Sequence, residues 1–345
     1  EAEREYEESL SVYRDLSEKS PDSFLPKVAG IVGGMAGLHR DIGQYEKAER
    51  GYEESLSIYR NLSARSQDAY LSKVVGVVGN LANLHYCIGR YEKAERENEE
   101  CLSIYRDLSE KCPGAYMSKV ALTVGNLASL HSLLGQYKKA QGEFEESLTI
   151  FRGLSEKSPN AYLPDVARTV GNLANLHWDM GWYEESERGY EESQSIYRDL
   201  AEKNPDVYLP DMARTIGNLA CLQKDIRQYG KAELLFEEAI THFRTLYTQK
   251  SPKFAKALCV NVNRLTYCQM YQKKYSQAII TIEEAITLMP DNPNVLDTKG
   301  EILLKMGDNN KALEVWHQVV ELDLGFYNRT ESELDKCLKE LGLVQ

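Results

Sequence analysis

The sequence predicts an all-α solenoid of stacked antiparallel helix hairpins, and three observations predict it. Segments starting GQYEKAE at Gly43, GRYEKAE at Gly89, GQYKKAQ at Gly135, GWYEESE at Gly181, RQYGKAE at Arg227 and KKYSQAI at Lys273 are each 46 residues apart. A fixed period of that size is the signature of a repeat architecture, in which each unit covers the apolar face of its neighbour. Within one unit, Val166, Val170, Leu173, Ala174, Leu176 and His177 recur at spacings of three and four, the pattern of a helix with one buried stripe. No alternation of apolar and polar residues persists long enough to predict a strand.

The elements follow in order. Glu1 to about Ser17 matches Lys47 to Ser63, so residues 1–19 read as an orphan second helix and the chain as starting half way through a unit, an excised fragment. Residues 20–249 hold five 46-residue repeats. In each, a first helix runs to the glycine of the comb; in the unit around Val166, Pro164 suits its first turn and Gly181 a left-handed stop. A second helix starts near Tyr183, buries Tyr190, Ser193, Ile196, Tyr197 and Leu200, and ends before the Asn204-Pro205 turn. Residues 250–290 form a sixth repeat with a shortened second helix, and 291–324 a unit of 34 residues, in which Gly307 takes the place of Lys273. Residues 325–345 read as a capping helix, with an amphipathic stretch from Glu331 to Leu341.

These residues resemble the tetratricopeptide repeat family. The resemblance rests on Asn172-Leu173-Ala174 in the first helix, Gly181 and Tyr183 at the turn, and Tyr190 in the second helix, with Ser186 where sister units have Ala48, Ala94, Ala140 and Ala232. It covers essentially the whole chain. It implies a right-handed superhelix whose first helices line a concave groove. The last unit keeps the family's usual length through Gly300, Gly307, Ala312 and Trp316, whereas the others are 12 residues longer, about three extra helical turns.

Composition narrows the function. The 345 residues carry 41 Lys plus Arg and 53 Asp plus Glu, a net charge of -12, so long-range repulsion argues against a nucleic-acid or anionic-membrane surface. The longest stretch free of charged side chains, Val120 to Tyr137, is too polar and too short to span a membrane. Seven cysteines without a CxxC or Cys/His cluster read as free thiols, which predicts a cytoplasmic protein with no metal site and no cofactor.

Catalysis finds little support. His39, His85, His131 and His177 share one repeat position, which Gln223 fills in the next unit, and a slot filled in every unit reads as packing with a polar tip. The Glu pairs at 53/54, 99/100, 145/146, 191/192, 237/238 and 283/284 read as a solvated face, because adjacent helical residues diverge by about 100°. The glycines at 33, 79, 125, 171 and 217 lie inside helices, where close helix approach or a bare groove floor would explain them.

Binding candidates are the polar columns of the first helices. Asn80, Asn126, Asn172 and Asn218 share one column, with Asn83 and Asn175 three residues further on. In the resembled family such columns face a bound peptide, and an amide can donate to and accept from one peptide unit at once. The same residues could instead order the helix stack. Where the repeats disagree, Arg168, Arg214, Lys224 and Arg264 gather toward the carboxyl-terminal half, and Trp178 stands in the Lys224 column. This predicts a non-catalytic scaffold that binds a protein or peptide, an acidic segment in particular, in its groove. The rival reading is a structural, regulatory or self-assembling arm of a larger protein, associating through its amino-terminal end.

Overall fold

The structure, a computed structural model, describes residues 2–65 and 69–323. The capping helix expected at 325–345, Glu331–Leu341 included, lies outside the described residues. Those residues contain fifteen α-helices and one 3-10 turn, and no strand. Contacts within the chain define two compact units, 1–172 and 173–345.

The first unit holds α1 (Ala2–Lys19), α2 (Pro21–Asp41), α3 (Tyr45–Arg65), α4 (Leu71–Cys87), α5 (Tyr91–Lys111), α6 (Pro113–Leu133), α7 (Tyr137–Lys157) and the start of α8 (Pro159–Asp179). From α1 to α7 each helix packs on the next. The turn after each first helix is set by its glycine. At Gly43, φ is 78°, and this left-handed residue lets the Gln44 N–H reach the His39 carbonyl at 2.8 Å and the Gly43 N–H reach Arg40 at 3.0 Å. Gly89 and Gly135 repeat the geometry.

Apolar stripes meet between the helices. Val74, Val75, Val78, Leu81 and Leu84 of α4 are buried with Tyr52, Leu56, Tyr59 and Leu62 of α3. Two in-helix glycines mark close approaches: a Cβ on Gly33 would stand 3.1 Å from Ser55 Oγ, and one on Gly125 3.2 Å from Ser147 Oγ. Those hydroxyls donate across the helix pair to the Ala29 and Ala121 carbonyls, each at 2.8 Å. Helix α1 turns Leu10 into a core with Val28 and Val32, and sets the Tyr13 ring tilted against Phe24. Its outward side carries Glu5, Glu8, Ser9, Asp15 and one exposed apolar residue, Val12.

The second unit holds the end of α8, then α9 (Tyr183–Lys203), α10 (Pro205–Asp225), α11 (Tyr229–Gln249), a 3-10 turn (Pro252–Phe254), α12 (Ala255–Tyr271), α13 (Tyr275–Leu288), α14 (Pro293–Lys305) and α15 (Asn309–Leu322). Gly181 is left-handed as predicted, with φ of 76°. The turns after α10 and α12 keep the same backbone without glycine, so Arg227 and Lys273 stand at φ 64° and 60°. In the last hairpin, Trp316 is buried against Gly300 and donates from Nε1 to Asp297 at 3.0 Å.

One local expectation is corrected. Pro164 does not open its helix; α8 starts at Pro159, and Pro26 and Pro210 likewise lie inside α2 and α10. A proline at the sixth helical position removes only the N–H that would reach the carbonyl four residues back. That carbonyl belongs to Asp22, Asn160 or Asp206, all exposed, where water can replace the lost bond.

Candidate functional site

Two polar lattices hold the hairpins in register. The first runs through the histidine column. His131, with no exposed surface, lies 2.6 Å from Glu143 through Nδ1 and 3.0 Å from Glu95 through Nε2, so one ring on α6 ties α5 to α7. His85 is clamped in the same way between Glu97 and Glu49, at 2.7 and 3.0 Å. Burial pushes the Glu49 carboxyl up, but hydrogen bonds from His85, Lys93 and Arg90 outweigh it and hold it at about 2. Burial wins at Glu97, which is raised. In the second unit Gln223 takes the slot and donates to Glu187 at 2.7 Å.

The second lattice corrects the reading of the Glu pairs as a merely solvated face. In five of the six pairs the second Glu accepts from an arginine 40 residues earlier: Arg14 to Glu54, Arg60 to Glu100 at 2.6 Å and Arg106 to Glu146 at 2.8 Å in the first unit. In the second unit the same bond joins Arg198 to Glu238 and Arg244 to Glu284. Within each unit, successive second helices are thus bridged. Such exposed pairs contribute roughly 0.2–1 kcal/mol each, so they set register more than stability.

The asparagine column is free of this lattice. Asn80, Asn126, Asn172 and Asn218 are half-buried, and none makes a side-chain hydrogen bond among the described residues. Their amides are not the pins of the helix stack. Asn83 is exposed, whereas Asn175 accepts from the Tyr190 hydroxyl and has a structural partner. The arginines divide likewise. Arg168 of the first unit bonds Asp165 at 2.6 Å, and Arg214 of the second bonds Asp211 at 2.6 Å.

In the second unit, α10 and α12 flank two chambers that share lining residues. The first, about 480 Å³, is walled by Pro210, Asp211, Arg214 and Asn218 of α10 and by Ala257, Val260 and Asn261 of α12, with Lys253 and Phe254 at one end. The second, about 560 Å³, continues past Cys221, Lys224 and Asp225 to Asn263, Tyr267, Asn292 and Asn294, with Trp178 at its edge. Lys256, Val260 and Arg264 line both.

Charge is distributed unevenly across this cleft. On α10, Asp211 neutralises Arg214 and Asp225 neutralises Lys224, the latter at 2.7 Å. On the other wall Lys253, Lys256 and Arg264 have no ion pair among the described residues. The floor thiol registers these charges. Burial pushes Cys221 up, and Arg264 and Lys224 act against it. Two carboxamide oxygens, of Asn261 and Asn263, are buried here without a donor, and Asn261 is only 6% exposed. Unpaired acceptors of this kind cost about 1–3 kcal/mol each. The wall therefore offers cations without carboxylates of their own, which suits a polypeptide segment bearing carboxylates.

Family models match the chain in three places. A tetratricopeptide repeat model covers residues 78–110, and a second one covers 167–200. The chain carries tetratricopeptide repeats at these two places. A model of anaphase-promoting complex subunit 5 matches residues 115–163 of this repeat protein. Among solved structures, BtubC (BKLC) from P. vanneervenii is similar over 72% of this chain and 91% of its own, at 23% identity and a TM-score of 0.57. A tetratricopeptide repeat protein from Parabacteroides merdae covers 92% of this chain and 99% of its own, at 15% identity and a TM-score of 0.50. These likenesses speak for the fold alone. No curated protein matches the sequence.

Lys253, Lys256, Asn261 and Asn263 escaped the reading of the sequence. A signal existed for Lys256: its column reads Pro26, Ser72, Ser118, Pro164, Pro210 and then Lys256, the kind of disagreement that singled out Arg264. Among the described residues, no group of three His, Cys, Asp or Glu side chains is placed to hold a metal ion, and no helix is long and apolar enough to cross a membrane.

Proposed function

We propose that this protein is a non-catalytic interaction scaffold whose second unit captures an acidic segment of a partner protein in the cleft between α10 and α12. The observation that carries this reading is the three uncompensated cations on one wall, in a chain of net charge -12. Arg168 and Arg214, by contrast, already hold a carboxylate of their own. An acidic partner meets long-range repulsion from the whole protein and short-range attraction at this wall, so binding weakens with salt. The guanidinium of Arg264 offers a two-pronged fit to a carboxylate, and Lys253 and Lys256 add point charges. Asn218 borders the same cleft with its amide free, and Asn80, Asn126 and Asn172 give the first unit the same capacity to hold a peptide backbone.

The test is titration of acidic, neutral and basic peptide pools against wild type and an Arg264→Glu, Lys256→Glu double variant. Capture of the acidic pool by wild type and its loss in the variant are expected. Equal capture by both proteins, or preference for the basic pool, overturns the proposal.

A further inference from the structure

The histidine clamp is complete at His85 and His131 and half made at His39. Nε2 of His39 lies 3.0 Å from Glu3 of α1, as the sister rings lie from Glu49 and Glu95. On Nδ1, His85 and His131 each meet a carboxylate 12 residues further on, Glu97 or Glu143, whereas the residue in that place after His39 is Gly51. The His39 side chain is only 7% exposed, and its Nδ1 makes no hydrogen bond among the described residues, yet it is not sealed from solvent.

A chamber of about 310 Å³ lies here between α1, α2 and α3. We propose that it binds a small aliphatic monocarboxylate, whose carboxylate takes the place of the missing glutamate on His39 Nδ1 and whose tail lies against Leu10 and Val32, both buried in its lining. The site belongs to the first unit and does not rest on the reading of the cleft between α10 and α12.

Charge separates this chamber from its counterpart one repeat on. There Arg60 shares the lining with Glu53, Glu97 and Glu100, one cation among three carboxylates. In the first chamber Arg14, Lys47 and Arg50 share the lining with one carboxylate, Glu54, which Arg14 already holds. Lys47 stands 4.0 Å from Glu3, which it shares with His39. Arg50 uses only Nε, on the Glu46 carbonyl at 3.3 Å, and has no carboxylate of its own among the described residues. An anion entering here meets the guanidinium of Arg50 and the edge of the His39 ring together. An ionised carboxylate only accepts, so with Glu3 on Nε2 the ring donates from both nitrogens in the bound state.

The size of the ligand follows from what is missing. Beyond its Cα, a glutamate side chain amounts to propionate. A Cβ on Gly51 would stand 2.9 Å from the Ala36 Cβ, so α3 closes on α2 there and the tail turns along Leu10 and Val32 instead. Small-molecule sites run from about 300 to 1,000 Å³, and this chamber, at their lower end, suits a short chain.

The experiment titrates butyrate, butyramide and inorganic phosphate against the full chain, with calorimetry for affinity and NMR for the His39 ring. Butyrate should bind saturably and shift Nδ1, with butyramide and phosphate each weaker by about tenfold or more. In the first variant, His39→Gln, the contact to Glu3 is kept, as Gln223 keeps its bond to Glu187, and Nδ1 is lost. Butyrate affinity should fall about tenfold or more. Arg50→Gln should weaken it as well, while Arg96→Gln, the same position one repeat on, should leave it unchanged. Gly51→Glu with Ala36→Gly to make room completes the clamp within the chain and should abolish butyrate binding; if thermal melts show that double variant unfolded, the His39 and Arg50 variants decide. Equal binding of butyrate by wild type and His39→Gln overturns the proposal, as does equal binding of butyramide, tighter binding of phosphate, or saturation without a shift at His39. Absence of butyrate binding overturns it outright and leaves the cleft reading untouched.

Discussion

Replacing His131 by alanine should be among the most damaging single changes in the first unit. The ring is wholly buried and faces a carboxylate from each ring nitrogen, Glu143 at 2.6 Å and Glu95 at 3.0 Å. Both carboxylates are themselves less than a quarter exposed. Each hydrogen bond involving a charged group is worth roughly 1.5–3 kcal/mol, and a carboxylate left without its donor keeps its desolvation cost. Water reaching the vacated space and the Lys139 ammonium, 3.4 Å from Glu95, return part of this. The expected loss is about 3–5 kcal/mol. Glutamine provides the contrast, because Gln223 fills the same slot in the second unit with one donor, to Glu187. His131→Gln should keep one of the two contacts and lose about 1.5–3 kcal/mol. A repeat protein need not unfold in one step, so the assay is native-state hydrogen exchange of α5, α6 and α7 amides, read beside urea unfolding. An alanine variant within about 1 kcal/mol of wild type, or a glutamine variant as damaged as alanine, would refute the clamp.

Three further outcomes follow from named residues. Glu49 is held at about 2, below its ordinary value of 4.5, so it adds stability above pH 4.5 that is lost as pH falls toward 2; the shift is worth about 3 kcal/mol at most, and Glu49→Gln should flatten that acid limb in pH-dependent unfolding. Arg227→Gly and Lys273→Gly relieve left-handed backbone at φ 64° and 60°, and each should raise stability by up to about 1 kcal/mol in thermal melts, a fall in both showing that the turns are not strained. The outward side of α1 carries Glu5, Glu8 and Asp15 and one exposed apolar residue, so sedimentation should find the chain monomeric at tens of micromolar, while a dimer lost on Val12→Glu would revive association through this end.

The repeat and its turns could be read in the sequence because they depend on local chemistry. A glycine every 46 residues marks the left-handed turn, and the three-and-four spacing marks the buried stripe. Pro164 was misplaced because a proline near a helix start looks alike at the first and the sixth position, and only the exposure of the carbonyl four residues earlier separates them. The clamps and the arginine ladder depend on pairs 36 and 40 residues apart, as in His131 with Glu95 or Arg60 with Glu100. Those distances become contacts only once the hairpins are stacked. The same holds for the cleft. Arg264 and Lys224 stood out as departures between repeats, but which cations hold a partner depends on side-chain direction, and that separated Arg168 and Arg214 from Arg264.

The central claim is that an acidic segment enters by the α10 and α12 wall rather than by the second helices. Hydrogen exchange of the full chain, with and without a saturating acidic peptide, measures this directly. New protection confined to α10, α12 and the start of α14 is expected, absent in the Arg264→Glu, Lys256→Glu variant. Protection on α11 and α13 instead, or protection unchanged in the variant, would contradict it.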